Sequence, residues 1–210
     1  MRSLRHPLLS AKLPAEWTLR ELLVPPEHLR LGENRLRFEY ATTIAPAALY
    51  AESGDHRQLA LRIRSLSLSS LPERTVIDFG TPEARAAMLD GWSDDETAEG
   101  RSVLWTNGAR ARVSLWLGGS HDAQLSVDAR AYPPALPVNV EVRLNDNVVG
   151  SFQPGAAWGT HELTLPARSF ADTRSILEFR FDHTARPSQH EPGSKDDREL
   201  ALRFDRLLVV

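Results

Sequence analysis

The stretch Val138–Phe152 has the sequence VNVEVRLNDNVVGSF. Apolar residues alternate with polar ones over Val138–Leu144, which is the period of a β-strand with one buried face. The polar triplet Asn145–Asn147 favours a tight turn, because Asn and Asp tolerate the left-handed backbone that hairpin turns need. A second apolar segment follows at Val148–Phe152. The stretch therefore predicts an antiparallel hairpin with one face in a core.

Short strand patterns continue on both sides of this hairpin, with Pro, Gly or Asn every ten residues or so. We predict a helix of about two turns at Ala84–Leu89, started by Thr81 and Pro82, and a polar loop at Gly91–Gly100. Such spacing predicts an all-β fold, an antiparallel β-sandwich of the jelly-roll type. The further predicted strands are Thr75–Phe79, Ser102–Thr106, Arg110–Leu117, Ala123–Tyr132, Thr160–Leu165, Ser175–Phe181 and Glu199–Val209.

The chain also contains an internal repeat without gaps. Trp17 and Trp158 are 141 residues apart, and residues 1–68 match residues 142–209 at this offset. We therefore predict two domains: 1–70, a partial sandwich that repeats the back half of the unit, and 71–210, the complete unit. The same offset joins Glu21/Glu162, Leu22/Leu163, Pro25/Pro166, Leu36/Leu177, Phe38/Phe179, Pro46/Pro187, Asp55/Asp196, Arg57/Arg198, Leu59/Leu200, Ala60/Ala201, Leu61/Leu202, Arg62/Arg203 and Leu66/Leu207.

A half sandwich leaves an apolar face and unpaired strand edges uncovered. Residues 75–141 have no counterpart before Met1. We therefore expect a missing upstream domain of the same protein, or a second chain, to cover residues 1–70, and we favour the upstream domain. The strands predicted for this first copy are Leu8–Ala11, Leu19–Val24, Asn34–Tyr40 and Gln58–Leu68.

Composition excludes several classes of function. The net charge of −3 gives no reason to expect a nucleic-acid partner, and the chain has no cysteine for disulfides, thiolate metal sites or nucleophiles. No stretch approaches the roughly 20 apolar residues of a membrane span, and no signal-peptide pattern is present. Basic residues other than Lys12 and Lys195 are arginines, a usage that we interpret as bacterial.

We predict no catalytic residues, no metal site and no cofactor. No catalytic or phosphate-binding motif is present. His183 and His190 share one loop with acidic residues, but their counterparts Thr42 and Leu49 cannot bind a metal, so a repeated zinc site is not expected. The acidic loop 90–96, with Asp90, Asp94, Asp95 and Glu96, is predicted to be solvated, with a structural Ca²⁺ as the alternative.

The tryptophans are the candidates for ligand binding. Trp92 lies in the polar loop and is the ring that we most expect to be exposed. Trp116 should lie on the face of its strand opposite Val113, Leu115 and Leu117. We predict Trp92 and Trp116 as ligand-binding residues, whereas the matched pair Trp17 and Trp158 is predicted to close the edge of the core.

The segments Ile77–Gly80, Gly91–Ser93, Leu104–Thr106, Leu177–Phe181 and Arg198–Asp205 together resemble a jelly-roll module of bacterial cell-surface proteins. Modules of that kind are similar to galactose-binding or carbohydrate-binding sandwiches and are attached to envelope glycosyltransferases and sulfatase-like proteins. The resemblance covers 75–210, and 1–68 as the repeated half.

The resemblance implies a non-catalytic, carbohydrate-binding-like accessory module of a larger envelope-associated protein, with a glycan as partner and an extracytoplasmic location. Two alternatives stay open. One is a purely structural or interaction β-sandwich that positions a neighbouring catalytic domain, and the other is an enzyme with an unfamiliar site.

Overall fold

A computed structural model describes residues 12, 16–22, 24, 28–29, 31–69, 74–117, 121–171 and 174–210. The described residues fall into two compact units. One lies within Met1–Pro25 and Leu71–Val210, and the other lies within Pro26–Ser70.

The larger unit is a sandwich of two antiparallel sheets, which confirms the predicted fold class. The first sheet has the strand order β2-β3-β10-β5-β8, with β1 also paired to β10, and the second has the order β4-β9-β6-β7. The strands are β1 Thr75–Asp78, β2 Glu96–Ala98, β3 Arg101–Trp105, β4 Arg110–Leu115, β5 Ala123–Ala131, β6 Val140–Leu144, β7 Asn147–Phe152, β8 Gly159–Leu165, β9 Ser175–Phe181 and β10 Leu202–Val209.

The core lies between the two sheets and follows the alternation of the sequence. On β5, Leu125, Val127 and Ala129 are fully buried, while the residues between them point to the outer face. Phe204 on β10 packs against Phe79 and Phe179, with ring centroids 5.2 and 5.1 Å away. These contacts join the two sheets, since Phe204 belongs to the first and Phe179 to the second.

The hairpin predicted at the end of β6 is confirmed. Leu144 pairs with Asn147, which leaves Asn145 and Asp146 as the two turn residues, with φ of 48° and 68°. Both positive angles are typical of the hairpin turn that matches strand twist. The Asn145 side chain fixes the turn by donating to the Ser169 carbonyl oxygen at 2.7 Å.

Two local predictions were wrong. The helix expected at Ala84–Leu89 is a short 3-10 helix, Ala84–Ala87, because the chain then joins β4 through a bridge between Met88 and Val113. The loop expected at Gly91–Gly100 contains β2, whose polar residues form a strand by main-chain pairing with β3. Because its side chains are polar, an edge strand of this kind cannot be recognised from apolar alternation in the sequence.

The smaller unit contains one short helix, α1 Pro46–Leu49, and a β-bridge between Ile44 and Leu59. Its described residues form no strand, so the strands predicted at Asn34–Tyr40 and Gln58–Leu68 are not formed. Neither do the described residues of Leu19–Val24 form one, and Leu8–Ala11 lies outside the described residues.

Strand pairing in the larger unit explains why these predicted segments form no strand. The counterparts of these segments are β8, β9 and β10, and their strand partners are β1, β3, β4, β5 and β6. All of these partners come from residues 75–144. An extended segment without a partner cannot satisfy its backbone groups in a sheet.

One part of the repeat folds alike in both copies. The bridge Ile44–Leu59 has its counterpart in the bridge Ala185–Leu200, and α1 in a second short helix, α2 Pro187–His190. The partial domain 1–70 itself stays a prediction.

Hydrogen bonds repeat at the same offset. The Asp55 carbonyl oxygen accepts from Ala47 N at 2.9 Å, as the Asp196 carbonyl oxygen accepts from Ser188 N at 2.8 Å. In the smaller unit the turn is formed with these internal contacts alone.

Candidate functional site

Trp158 lies just before β8 on the outer face of the six-stranded sheet. The guanidinium carbons of Arg101 and Arg130 are 5.4 and 5.0 Å from its ring centroid, within the range of cation–π contacts. Its Nε1 donates to Glu99 at 3.2 Å, and Arg130 pairs with the same carboxylate at 2.9 Å. The half-buried ring is therefore held in one orientation.

Beside this ring, one row of side chains crosses four strands in register. Asp78 on β1 lies opposite Arg206 on β10, which lies opposite Asp128 on β5, which lies opposite Thr160 on β8. Thr160 Oγ1 donates to Asp128 Oδ1 at 2.5 Å, and Arg206 Nη2 lies 3.4 Å from Asp128 Oδ2. The row alternates acceptors and donors across the outer face.

These side chains line a cleft of about 750 Å³. A second ion pair closes one side of it, since Arg101 Nη1 is 2.5 Å from Asp205 Oδ2. The volume lies in the range of small-ligand sites, roughly 300–1,000 Å³. We call this the Trp158 cleft; it is lined by Asp78, Arg101, Asp128, Trp158, Thr160 and Arg206, with Val76, Gly159 and Asp205.

Two charged groups beside the cleft, Glu99 and Arg203, have pKa values shifted by their surroundings. The hydrogen bond from Trp158 and the Arg130 guanidinium hold the pKa of Glu99 below its usual range. Farther along the same face, Arg203 lies over the Trp105 ring at 4.2 Å, and burial lowers its pKa. Glu99 therefore stays ionised at neutral pH and keeps the Trp158 ring oriented.

This arrangement suits a ligand with many hydroxyl groups and an apolar face. Carboxylates accept from hydroxyls and guanidinium groups donate to them, and both kinds of bond are stronger than neutral ones. An indole ring adds apolar contact area at low entropic cost. Three carboxylates and two guanidinium groups line the cleft, so its lining carries one more negative charge than positive.

Trp92 is half-buried and packs against the core rather than lying in an exposed loop. Its ring lies 4.9 Å from Phe79 and 5.2 Å from Phe204, and its Nε1 donates to the Arg112 carbonyl oxygen at 2.7 Å. The expectation that this ring is exposed was wrong, because the polar loop around it folds back on the sandwich. Its predicted role in ligand binding stays a prediction.

Trp116 follows β4 and is half-buried. Val113, Leu115 and Leu117 are buried, which confirms that Trp116 lies on the opposite face. Arg174 lies over its ring at 5.7 Å, beside a smaller cavity of about 280 Å³. The structure does not bring Trp92 and Trp116 together in one cavity, and the role of Trp116 in ligand binding stays a prediction.

Three of the four carboxylates in the predicted acidic loop are paired with arginines. Asp90 accepts from Arg112 at 2.8 Å, Asp95 lies 2.7 Å from Arg85 and Glu96 lies 3.0 Å from Arg198. The Arg112 guanidinium holds the pKa of Asp90 below its usual range. Among the described residues no group of three or more His, Cys, Asp and Glu is arranged to hold a metal ion.

Sequence reasoning missed the Trp158 cleft and assigned Trp158 to the edge of the core. The signal was present in β5, where Asp128 and Arg130 alternate with the buried residues and must therefore point outward. What the sequence does not show is that β1, β10 and β8 bring Asp78, Arg206 and Thr160 into the same row.

No protein-family model matches the chain, and no curated protein matches it either. Similarity is found among solved structures, and carbohydrate-binding modules with β-sandwich folds are among those that match. None of the helices in the described segments has the length and apolar character needed to span a bilayer.

Three of these structures illustrate the likeness. The CBM36-1 domain of a multidomain xylanase from the hindgut metagenome of Trinervitermes trinervoides is 10% identical, with a TM-score of 0.42, and the match covers 66% of this chain and 97% of that one. The C-terminal CBM6 of a laminarinase from Zobellia galactanivorans is 9% identical, with a TM-score of 0.43, and the match covers 66% and 99%.

A CBM36 module in complex with calcium and xylotriose is 14% identical, with a TM-score of 0.38, and the match covers 65% of this chain and 99% of that one. Likenesses of this degree do not bear on the ligand of this chain.

Proposed function

We propose that this protein is a non-catalytic carbohydrate-binding module and that it binds a glycan in the Trp158 cleft. The observation that carries the proposal is the oriented Trp158 ring beside the in-register row from Asp78 to Thr160. Together they supply an apolar surface and fixed hydrogen-bonding groups, which is the combination that a sugar ring requires.

The cleft favours neutral sugars over polyanions. Asp78, Asp128 and Asp205 outnumber Arg101 and Arg206, and both arginines are engaged by carboxylates. A polyanion would meet unpaired negative charge here, whereas hydroxyl groups can both accept and donate.

The wider setting that we propose is a larger bacterial envelope-associated protein in which another domain or chain covers residues 1–70. The motive is the resemblance carried by the segments quoted above and the apolar side chains that the smaller unit exposes, such as Leu61, Ile63 and Leu66. The glycan-binding proposal does not depend on this setting.

Calorimetric titration with a panel of neutral and anionic oligosaccharides tests the function. We expect binding to a neutral member and at least a roughly tenfold loss of affinity in Trp158→Ala, about 1.4 kcal/mol. Trp17→Ala is the matched control, because Trp17 is the repeat counterpart of Trp158 and does not line the cleft. Unchanged affinity in Trp158→Ala would place the ligand elsewhere.

The same titration with Trp116→Ala and Trp92→Phe tests the two residues predicted from the sequence. Phenylalanine is used at position 92 because that ring contributes to the core.

A second candidate function, a structural or interaction domain, is favoured by the packing of Trp92 and Trp105 against core residues. If the natural chain binds no member of the panel, the glycan proposal is wrong and this alternative takes its place.

A further inference from the structure

The smaller unit exposes the apolar side chains whose repeat counterparts fill the sandwich core. Seven matched positions are 37–68% exposed in the smaller unit and 0–5% exposed in the sandwich. An exposed set of this size on one segment marks an interaction surface. The matched positions are Leu36/Leu177, Phe38/Phe179, Tyr40/Phe181, Leu59/Leu200, Leu61/Leu202, Ile63/Phe204 and Leu66/Leu207.

In the sandwich, a defined part of the chain pairs with the strands that carry these positions. β9 pairs with β4 on one side and β6 on the other, and β10 pairs with β1, β3 and β5. All five partners lie in residues 75–144. We call residues 75–141 the front half and residues 142–209 the back half, so β6 crosses the boundary between them. Apart from the last three residues of β6, neither β9 nor β10 has a strand partner from the back half.

Residues of the front half also form hydrogen bonds with the back half. Thr106 Oγ1 accepts from the amides of Ala201 and Leu202 at 3.2 and 3.1 Å. Tyr132 N donates to the Ala201 oxygen at 2.8 Å, and the Tyr132 hydroxyl donates to Glu191 at 2.7 Å. The counterpart of the Ala201–Leu202 pair in the smaller unit is Ala60–Leu61, with the same sequence.

The part of the smaller unit that needs no front half is already folded. The turn between Ile44 and Leu59 has the bridge, the helix and the Asp55–Arg57 ion pair of its counterpart. The part that in the sandwich depends on the front half, residues 34–40 and 58–68, contains no strand. Structure is therefore present where contacts are internal and absent where the front half supplies them.

We infer that residues 34–68 bind a front half of the type formed by residues 75–141, one that is not already closed by a back half of its own. Residues 34–40 then become the counterpart of β9 and pair on both sides, and residues 58–68 become the counterpart of β10. This inference rests on the part of the proposed function in which a partner covers residues 1–70, and it is independent of the Trp158 cleft.

The test supplies such a front half to the whole chain. A copy of residues 71–141 is placed directly before residue 1, so that residue 1 takes the position that Val142 has in the sandwich. Amide hydrogen exchange is then compared in the natural and the extended chain. We expect the amides of residues 34–40 and 58–68 to exchange at least about 100-fold more slowly in the extended chain.

Three controls make the result specific. An extension of the same composition with its alternation scrambled should give no protection. Leu61→Asp in the extended chain should remove the protection of residues 58–68, while β9 stays protected and shows that the sandwich is intact. In a separate measurement, the natural chain and a polypeptide of residues 71–141 are refolded together from urea, and a one-to-one complex is expected by size-exclusion chromatography with light scattering.

Several outcomes would overturn the inference. They are unchanged exchange in the extended chain together with no complex in the mixture, equal protection by the scrambled extension, or protection in the natural chain that rises with its concentration. The last outcome would mean that a second copy of this chain is the occupant. A failure of glycan binding would leave all of these measurements unaffected.

Discussion

Asp196 accepts three hydrogen bonds from Arg198, two residues later in the chain: one from its backbone amide at 3.0 Å and two from the guanidinium Nε and Nη2 at 3.0 and 2.6 Å. Asp55 and Arg57 form the same set in the smaller unit, at 3.0, 2.9 and 2.6 Å. The Arg57 hydrogen bond lowers the pKa of Asp55 to about 2. The pair therefore makes the same contacts in both copies of the repeat.

The two copies differ in the further contacts of the arginine side chain. Arg198 also donates to Glu96 on β2 at 3.0 Å and so ties the turn to the sandwich. We therefore expect Asp196→Ala to lower the free energy of unfolding of the sandwich by about 1–3 kcal/mol, because a backbone amide and a partly buried guanidinium lose their acceptor. Urea denaturation of the sandwich measures this change.

Asp55→Ala is the matched control for that variant, since it removes the same carboxylate from the smaller unit. It should leave the unfolding of the sandwich unchanged. Equal losses in the two variants would mean that the turn does not support the sandwich locally.

The strands predicted best are those in which apolar residues that face the core alternate with polar residues that face outward. On β5, five apolar positions alternate with polar ones, and the structure buries the last four of the five and none of the polar residues. The same reasoning failed at residues 34–40 and 58–68, because alternation describes how a segment is built and not whether a partner strand is present. The register between strands that are distant in sequence cannot be read from either strand alone. The sequence therefore did not predict the row from Asp78 to Thr160.

The buried hydroxyl group of Thr106 forms hydrogen bonds with the backbone at the start of β10. Its Oγ1 accepts from the amides of Ala201 and Leu202 and donates to the Leu202 oxygen at 3.3 Å. Thr106→Val keeps the shape but leaves two buried N–H groups without an acceptor, so we expect a loss of about 2–4 kcal/mol in the free energy of unfolding. Equilibrium urea denaturation measures it.

Thr106→Ser keeps the hydroxyl and removes one methyl group. Its expected loss is about 1 kcal/mol. If the valine variant is as stable as the serine variant, the hydroxyl is not the group that holds these amides.

Gly91 allows the loop around Trp92 to lie against β4. Its φ is +80°, and a Cβ placed there would be 1.9 Å from the Arg110 carbonyl oxygen. Gly91→Ala should therefore cost about 2–5 kcal/mol, from the left-handed backbone and the clash with main chain together. Thermal unfolding followed by circular dichroism would show the loss.

Gly100 separates those two causes, since its φ is +76° and an added Cβ would have open space around it to a distance of 4 Å. Gly100→Ala should cost only the backbone strain, about 1–2 kcal/mol. Similar losses at both positions would show that the close approach of Gly91 to Arg110 contributes nothing.

We expect His161 to make the stability of the sandwich dependent on pH. Its ring stacks on Phe152 with centroids 4.4 Å apart, and its buried Nε2 has no hydrogen-bond partner among the described residues. Burial lowers the pKa of His161, although the nearby Asp128 carboxylate opposes this shift. The folded state therefore favours the neutral ring over the charged one.

Because the unfolded chain binds the proton more readily, the stabilisation by neutral His161 is present above pH about 6.5 and is lost as the pH falls through the lower pKa of the folded state. We expect the free energy of unfolding, measured in urea at about pH 7.5, 6.5 and 5.5, to fall more steeply in the natural chain than in His161→Phe. The phenylalanine keeps an aromatic ring against Phe152 and leaves the other histidines in place, so the difference between the two slopes belongs to His161. Parallel slopes would mean that His161 binds its proton equally well in the folded and unfolded states.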